Sequence, residues 1–131
     1  MMKFEVSTAG HESLNDITAQ VKKAISKSGI IQGICLIYCP HTTGAITINE
    51  NADPAVKRDI LMGLDKIAPW QNGYQHGEGN SAAHIKSSLL GASTLLIVDN
   101  AEPVLGTWQS VFFCEFDGPR RRKFFVSVQG D

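Results

Sequence analysis

Hydrophobic and polar residues follow two different periods along the first part of the chain. Residues 3–7 alternate between polar and apolar, which is typical of a half-buried strand. Between Ser13 and Gly29, apolar residues recur at helical spacing. Ser13 is suited to cap the start of a helix, and Gly29 is suited to end it. The pattern predicts a strand at residues 3–7 and a helix at residues 14–28.

The next two elements are predicted to be strands. Residues 30–39 are nearly all apolar and are followed by Pro40, so they predict a strand at the centre of a sheet with both faces covered. Residues 45–48 predict another strand, whose two ends carry polar residues. Side chains at such ends often form binding or catalytic sites.

Asp53 and Pro54 give the clearest helix start in the chain, because a capping residue is followed by proline at the first helical position. Apolar residues line one face of this helix, and Pro69 requires it to end before that position.

The glycine-rich residues 70–80 predict a loop, after which Ser81 is suited to cap a short helix at residues 82–90. Three further strands are predicted at residues 93–99, 107–116 and 121–128. Residues 117–119, Asp-Gly-Pro, are predicted to form a hairpin turn between the last two. The order of elements predicts an α+β fold with two main helices and one short helix.

Length and charge limit the class of protein. The chain has 131 residues, which suits a single domain spanning residues 1–131, and its formal net charge of -1 gives no general attraction to nucleic acid. No apolar run approaches the length of a membrane span. We therefore expect a cytoplasmic protein with neither a nucleic-acid nor a membrane partner. Its cysteines, Cys35, Cys39 and Cys114, are expected to be buried free thiols in a reducing compartment.

The first polar cluster flanks the strand predicted at residues 45–48. Its candidate site residues are His41, Thr42, Thr43, Glu50 and Asn51. About seven strand residues span roughly 20 Å, so the two ends cannot share one site within a subunit unless the chain bends. Ordinary structural roles are the alternative, with Thr43 favouring a strand and Asp53 capping a helix.

The second cluster, HGEGNS at residues 76–81, runs into the short helix that carries His84 and Lys86. Glycines ahead of a helix let backbone N–H groups approach an anion, so phosphate or carboxylate binding is one hypothesis. A turn-rich connection without a ligand is the alternative.

The histidines suggest metal binding or acid–base chemistry. His76 and His84 are eight residues apart, unlike a zinc pair on one helix. A metal site would therefore require the fold to bring in His41, Glu50, Glu78 or Glu115. A hydrogen-bonded structural role is the alternative for each histidine. His11 has no companion and is expected to be solvated.

The third cluster lies on the last two predicted strands. Period two places Glu115 on the same face as Gln109, Val111 and Phe113, so this carboxylate must be paired with a cation, bound to a metal or protonated. The arginines at residues 120–122 divide between the two faces of the final strand. They are expected either to form salt bridges or to bind phosphate through bidentate contacts.

Three stretches together resemble the YjbQ-like family, also known as the secondary thiamine-phosphate synthase family. They are HTTGAITINENADPAVKRD at 41–59, HGEGNSAAHIKSSLLG at 76–91 and GTWQSVFFCEFDGPRRR at 106–122. The resemblance implies a β-sandwich subunit of mostly antiparallel strands, assembled as a homotrimer with polar residues near the subunit boundaries. It also implies that hydroxymethylpyrimidine diphosphate is joined to thiazole phosphate, with release of diphosphate.

The resemblance also implies roles for the clustered residues. The candidate catalytic residues are His41, Glu50, His84 and Glu115. The candidate residues for binding the phosphorylated substrate are Thr42, Thr43, Asn51, Ser81, Lys86, Gln109 and Arg120. The candidate ligands of a divalent metal ion are His41, His76 and His84. Two alternatives stay open: a non-catalytic trimer that binds a metal or an anionic metabolite, and a hydrolase that uses metal-bound water.

Overall fold

Eight strands form two antiparallel sheets that pack against each other, together with three helices. The structure is a computed structural model and describes residues 1–131. In chain order the elements are β1 (Met2–Ser7), β2 (Ser13–Asp16), α1 (Thr18–Ser28), β3 (Gly33–Tyr38), β4 (Gly44–Glu50), α2 (Pro54–Ile67), α3 (Ser81–Leu90), β5 (Ser93–Asp99), β6 (Glu102–Pro103), β7 (Gln109–Glu115) and β8 (Arg121–Gly130). This architecture confirms the predicted α+β fold and the β-sandwich implied by the resemblance.

The strand order places the ends of β4 and β7 together. The larger sheet has the order β1-β8-β3-β5-β6, with β3 at its centre as predicted, and the smaller sheet has the order β2-β7-β4. Gly44 lies opposite Glu115 at one end of the β4–β7 pair, and Glu50 lies opposite Gln109 at the other. The polar residues that the sequence places at strand ends therefore form two separate groups.

Two apolar layers hold the fold together. The first lies between the sheets and includes Phe113 from β7, Phe124 from β8 and Ile25 from α1. The second lies between the smaller sheet and helices α2 and α3, where Phe112 packs in one cluster with Leu64. Because β7 separates the two layers, both of its faces are buried from Val111 to Glu115.

The helix predicted at residues 14–28 begins later than expected. Leu14 belongs to β2 and lies opposite Cys114 of β7. The carboxylate of Asp16 then accepts the backbone N–H of Thr18 at 2.9 Å, where α1 begins. The apolar spacing misplaces the start because Leu14 is buried on a short strand, and a buried apolar residue fits a helical pattern equally well.

The hairpin predicted at residues 117–119 is wrong, because β7 and β8 belong to different sheets. This segment carries the chain from the smaller sheet to the larger one, and it includes a cis peptide bond before Pro119. A turn between two alternating runs has the same sequence pattern in either topology. The two-residue strand β6 is likewise absent from the prediction, since it is too short to show a period.

The larger sheet presents an apolar outer face that this chain leaves uncovered. The face is formed by Ile34, Leu36 and Tyr38 of β3 with Leu95 and Ile97 of β5, the last two being 61% and 64% exposed. The prediction that both faces of β3 are covered is therefore wrong for the single chain. We call these five residues the apolar sheet face.

Several local predictions are confirmed. Asp53 caps α2 by accepting the backbone N–H of Ala55 at 2.9 Å, and the helix ends at Ile67, before Pro69. Residues 70–80 contain neither helix nor strand. The cysteines are free and buried, as expected. None of the three helices is long and apolar enough to cross a membrane.

Lys86 joins α3 to the rest of the fold. Its side chain is fully buried, and its ammonium group donates hydrogen bonds to Glu12 at 2.6 Å and to Asp65 of α2. Burial alone would lower the pKa of Lys86, but the hydrogen bonds to Asp65 and Glu12 outweigh it and raise the pKa. Lys86 is therefore occupied by two carboxylates, and its predicted role in binding phosphate is replaced by a structural one.

We expect Lys86→Met to lower the free energy of unfolding by about 2–4 kcal/mol, because it leaves Glu12 partly buried without its cation. Half-exposed Asp65 contributes less to this loss, since water screens it. Urea unfolding of the variant would measure the change, with Lys66→Met on the exposed surface of α2 as the matched control. Equal stability of the two variants would contradict a structural role for Lys86.

Candidate functional site

A polar cleft of about 440 Å³ lies at the end of the β4–β7 pair where Gly44 meets Glu115. It is lined by Pro40, His41, Thr42, Thr43, His76, Glu78, Asn80, His84, Arg120 and Arg122. We call it the histidine–arginine cleft. The fold therefore brings together parts of all three polar clusters of the sequence, although they are far apart along the chain.

A buried ion pair forms the base of this cleft. The Nε of Arg122 donates to Glu115 Oε1 at 2.8 Å, and its Nη2 donates to Glu115 Oε2. Nη2 also donates to the hydroxyl of Thr43 at 2.7 Å. Thr8, which follows β1, donates its hydroxyl to Glu115 Oε1 at 2.8 Å. These contacts join segments from both sheets at one point.

Glu115 is ionised and fully engaged in this arrangement. Burial alone would raise its pKa, but hydrogen bonds from Arg122, from the backbone N–H of Asp117 and from Thr8 lower it. The sequence allowed this carboxylate to be paired with a cation, bound to a metal or protonated, and the structure shows it paired with a cation. Because Glu115 lies behind the cleft wall with no exposed surface, the contacts do not place it where a substrate binds.

Asp117 organises the outer edge of the cleft. Its carboxylate accepts hydrogen bonds from Asn80 Nδ2 at 2.9 Å and from Arg120 Nη2 at 3.0 Å. Arg120 Nε donates to the Asp117 carbonyl oxygen at 2.7 Å. His11 is half exposed, with its ring edge-on to Trp70 at 4.4 Å and its Nε2 3.9 Å from Asp117, so it is not simply solvated.

The rings of His76 and His84 pack against each other in one wall of the cleft. Their ring centroids are 5.4 Å apart and the rings are nearly perpendicular. Glu78 lines the same cleft. No three His, Cys, Asp or Glu side chains of the chain converge closely enough to hold a metal ion. The candidate metal ligands thus share one cleft without forming a metal centre within this chain.

The remaining candidate residues lie elsewhere. Glu50 and Gln109 are paired at the opposite end of β4 and β7, and the side chain of Asn51 donates to Asp16 Oδ2 at 3.0 Å there. Gln109 Oε1 accepts the backbone N–H of Gly106 at 2.8 Å. Within one subunit these residues cannot act together with the histidine–arginine cleft, as the strand length predicts.

Ser81 also lies outside the cleft. It is the first residue of α3 and lines a neighbouring hollow that includes Tyr74 and Ile85. His76 and His84 line both hollows and so separate the polar one from the apolar one.

Arg122 also lines the cleft, although the sequence pattern singled out Arg120. Its side chain is only 6% exposed, whereas that of Arg120 is 52% exposed. The signal was present in the alternation of β8, because Arg122 has the same phase as the buried Phe124 and Val126. A charged residue in a core phase requires a partner, which here is Glu115.

The fold and cleft define a small α+β protein with a site of histidine and arginine side chains, and comparison with known proteins gives its family. Residues 2–131 match the family described as UPF0047 protein YjbQ-like. UPF0047 protein MJ1081 of Methanocaldococcus jannaschii is 53% identical over 131 residues, covering 100% of this chain and 95% of its own. The chain belongs to the YjbQ-like UPF0047 family.

Other relatives agree in sequence and in structure. UPF0047 protein YugU of Bacillus subtilis is 50% identical over 128 residues, covering 97% of both chains. A crystal structure of a YjbQ/UPF0047 protein from Clostridium acetobutylicum superposes with a TM-score of 0.97 at 51% identity, covering 98% of this chain and 100% of that one. A YbjQ-like protein of unknown function from Sulfolobus solfataricus has a TM-score of 0.95 at 38% identity, covering 99% and 96%.

We expect Glu115→Gln to cost about 3–5 kcal/mol of stability, because it leaves the Arg122 charge buried without its counter-ion. Glu5→Gln is the matched control, since it breaks the exposed Glu5–Arg121 pair and should cost less than about 1 kcal/mol. Both values would come from urea unfolding. A similar loss in the two variants would contradict the central role of the buried pair.

The same variant tests the pH dependence. Because the pKa of Glu115 is lowered from 4.5 in the fold, its contribution to stability is complete above that pH and is lost as the pH falls through the folded-state pKa. Glu115→Gln should remove this part of the acid sensitivity when unfolding is measured from neutral pH down to about pH 2, because the loss lies below the unfolded-state pKa.

Proposed function

We propose that this protein is an enzyme that acts on a phosphorylated small molecule. The observation that carries the proposal is the histidine–arginine cleft, where two guanidinium groups and three imidazole rings surround one polar space. Arginine is well suited to phosphate because its planar group donates parallel hydrogen bonds to two oxygens. The imidazoles are side chains that can transfer protons near neutral pH.

The reaction proposed is the one implied by the family resemblance, the formation of thiamine phosphate. A carbon–nitrogen bond forms between the pyrimidine methylene group and the thiazole nitrogen, while the bond from that methylene to the diphosphate oxygen breaks. Arg120 and Arg122 would stabilise the charge that develops on the leaving diphosphate. His84, with His76 beside it, would donate a proton to the leaving oxygen.

A divalent metal ion is the part of the proposal that fits least well. His76 and His84 offer two imidazole ligands, whereas protein metal sites of this type use at least about three protein ligands. No third His, Cys, Asp or Glu side chain of this chain completes such a group. No step of the reaction is therefore assigned to a metal, and the hydrolase alternative would require a further ligand from another copy of the chain.

The proposal includes a homotrimer in which another copy covers the apolar sheet face. The solvent-facing side of an antiparallel sheet normally carries polar residues, yet Leu36, Leu95 and Ile97 form a continuous apolar surface on adjacent strands. Such an assembly would also allow the polar group around Glu50 and Gln109 of one copy to approach a cleft of the next. A cytoplasmic location is part of the same proposal.

The purified protein is expected to form thiamine phosphate from the two phosphorylated precursors. His84→Ala should lower kcat by at least about a hundredfold, because it removes the proposed proton donor. Product formation would be followed by chromatography. Ser88→Ala, one turn further along the same helix and outside the cleft, is the matched control and should retain activity.

Turnover by His84→Ala equal to that of Ser88→Ala would exclude the role given to His84. If the wild-type protein binds both precursors in calorimetry without turnover, the non-catalytic binding alternative is favoured instead.

We expect Ile97→Lys to dissociate the proposed trimer, because it places a charge on the apolar sheet face. Sedimentation equilibrium of the wild-type and variant proteins would measure their masses. Lys23→Glu, on the exposed side of α1, should leave the mass unchanged. A wild-type monomer, or a variant trimer, would rule out this face as the contact.

A further inference from the structure

His41 is held in one orientation by a backbone contact. The N–H of Lys123 in β8 donates to His41 Nε2 at 2.9 Å. The imidazole also lies edge-on to the buried ring of Phe113, with 6.3 Å between the centroids. Two independent contacts from β7 and β8 therefore fix the position of the ring in the cleft.

This contact also fixes where the proton of the imidazole resides. A nitrogen that accepts an N–H cannot carry a proton itself, so the neutral ring must be protonated at Nδ1. Burial and the nearby charge of Arg122 lower the pKa of His41, which favours the neutral ring. His41 therefore lines the cleft as an uncharged N–H donor.

A second donor belongs to the same cleft. Arg122 uses Nε and Nη2 for Glu115 and Thr43, and its Nη1 makes no hydrogen bond within the chain. Arg122 and His41 both line the cleft, and Thr43 is two residues from His41. The segment that carries the imidazole thus also braces the guanidinium group.

Building on the function proposed above, we propose that His41 is a ligand-binding residue that holds an oxyanion through its neutral Nδ1–H, together with Nη1 of Arg122 in the same cleft. It is neither the general base nor a metal ligand, because Nε2 is occupied by the backbone and Nδ1 carries the proton. Two N–H donors of this kind select a phosphoryl oxygen and offer nothing to a cation. This assigns a role to His41 that differs from those of His76 and His84.

The tautomer can be tested without any ligand. A long-range proton–nitrogen correlation spectrum of the 15N-labelled protein would be recorded near neutral pH, with His41 identified by the signals missing from His41→Asn. Nδ1 is expected to be protonated and Nε2 to have the shift of an unprotonated acceptor. A proton on Nε2, or an imidazolium at neutral pH, would overturn the proposal.

Calorimetric titration with inorganic phosphate tests the binding role. In His41→Asn, the amide nitrogen takes the approximate position of Nδ1 and keeps the donor, so affinity should stay within about threefold of the wild type. His41→Leu has a similar size and no donor, and its affinity should fall by about tenfold or more. Thermal unfolding would confirm that both variants are folded.

The remaining outcomes are also decisive. Phosphate affinity that is unchanged in His41→Leu, or lost equally in both variants, would overturn the donor role of His41. Zinc binding by the wild type that both variants lose would show instead that His41 is a metal ligand. Phosphate binding that follows the expected order while thiamine phosphate is not formed would refute only the reaction proposed above.

Discussion

The buried ion pair between Glu115 and Arg122 is the interaction on which the rest of the structure depends. Glu115 ends β7 in the smaller sheet, Arg122 lies near the start of β8 in the larger sheet, and Thr8 and Thr43 bring two further segments to the same carboxylate and guanidinium. An isolated charge in this position would be too costly to bury, so each partner requires the other. The pair therefore links the two sheets at one point and places Arg122 in the wall of the cleft.

The two sheets differ in what covers their outer faces. Helices α2 and α3 cover the outer face of the smaller sheet, and Lys86 fastens α3 through Glu12 and Asp65. His84, on the same helix, therefore lines the cleft while Lys86 anchors α3 to the rest of the fold. No element of the chain covers the corresponding outer face of the larger sheet, which is why its apolar side chains are exposed.

The chemistry of the cleft follows from how its donors are held. Asp117 orients Arg120, Glu115 orients Arg122, and a backbone N–H orients His41. Each of these supporting contacts uses one part of a side chain and leaves another part without a partner in the chain. A set of N–H donors fixed in this way can bind an oxyanion with little loss of side-chain entropy.

Local periodicity and turn chemistry predicted the α+β fold class, the cap of α2 at Asp53 and the glycine loop, and residue type predicted the buried cysteines. The alternation of β7 also showed that Glu115 needed a partner. Contacts between distant segments set the rest: the partner is Arg122, Lys86 is occupied by carboxylates, and residues 117–119 cross between sheets. Strand length already separated Glu50 from the cleft, and strand pairing then placed Gln109 beside Glu50 at the far end. Periodicity reports which face a residue occupies, whereas the choice of partner depends on contacts between segments distant in the chain.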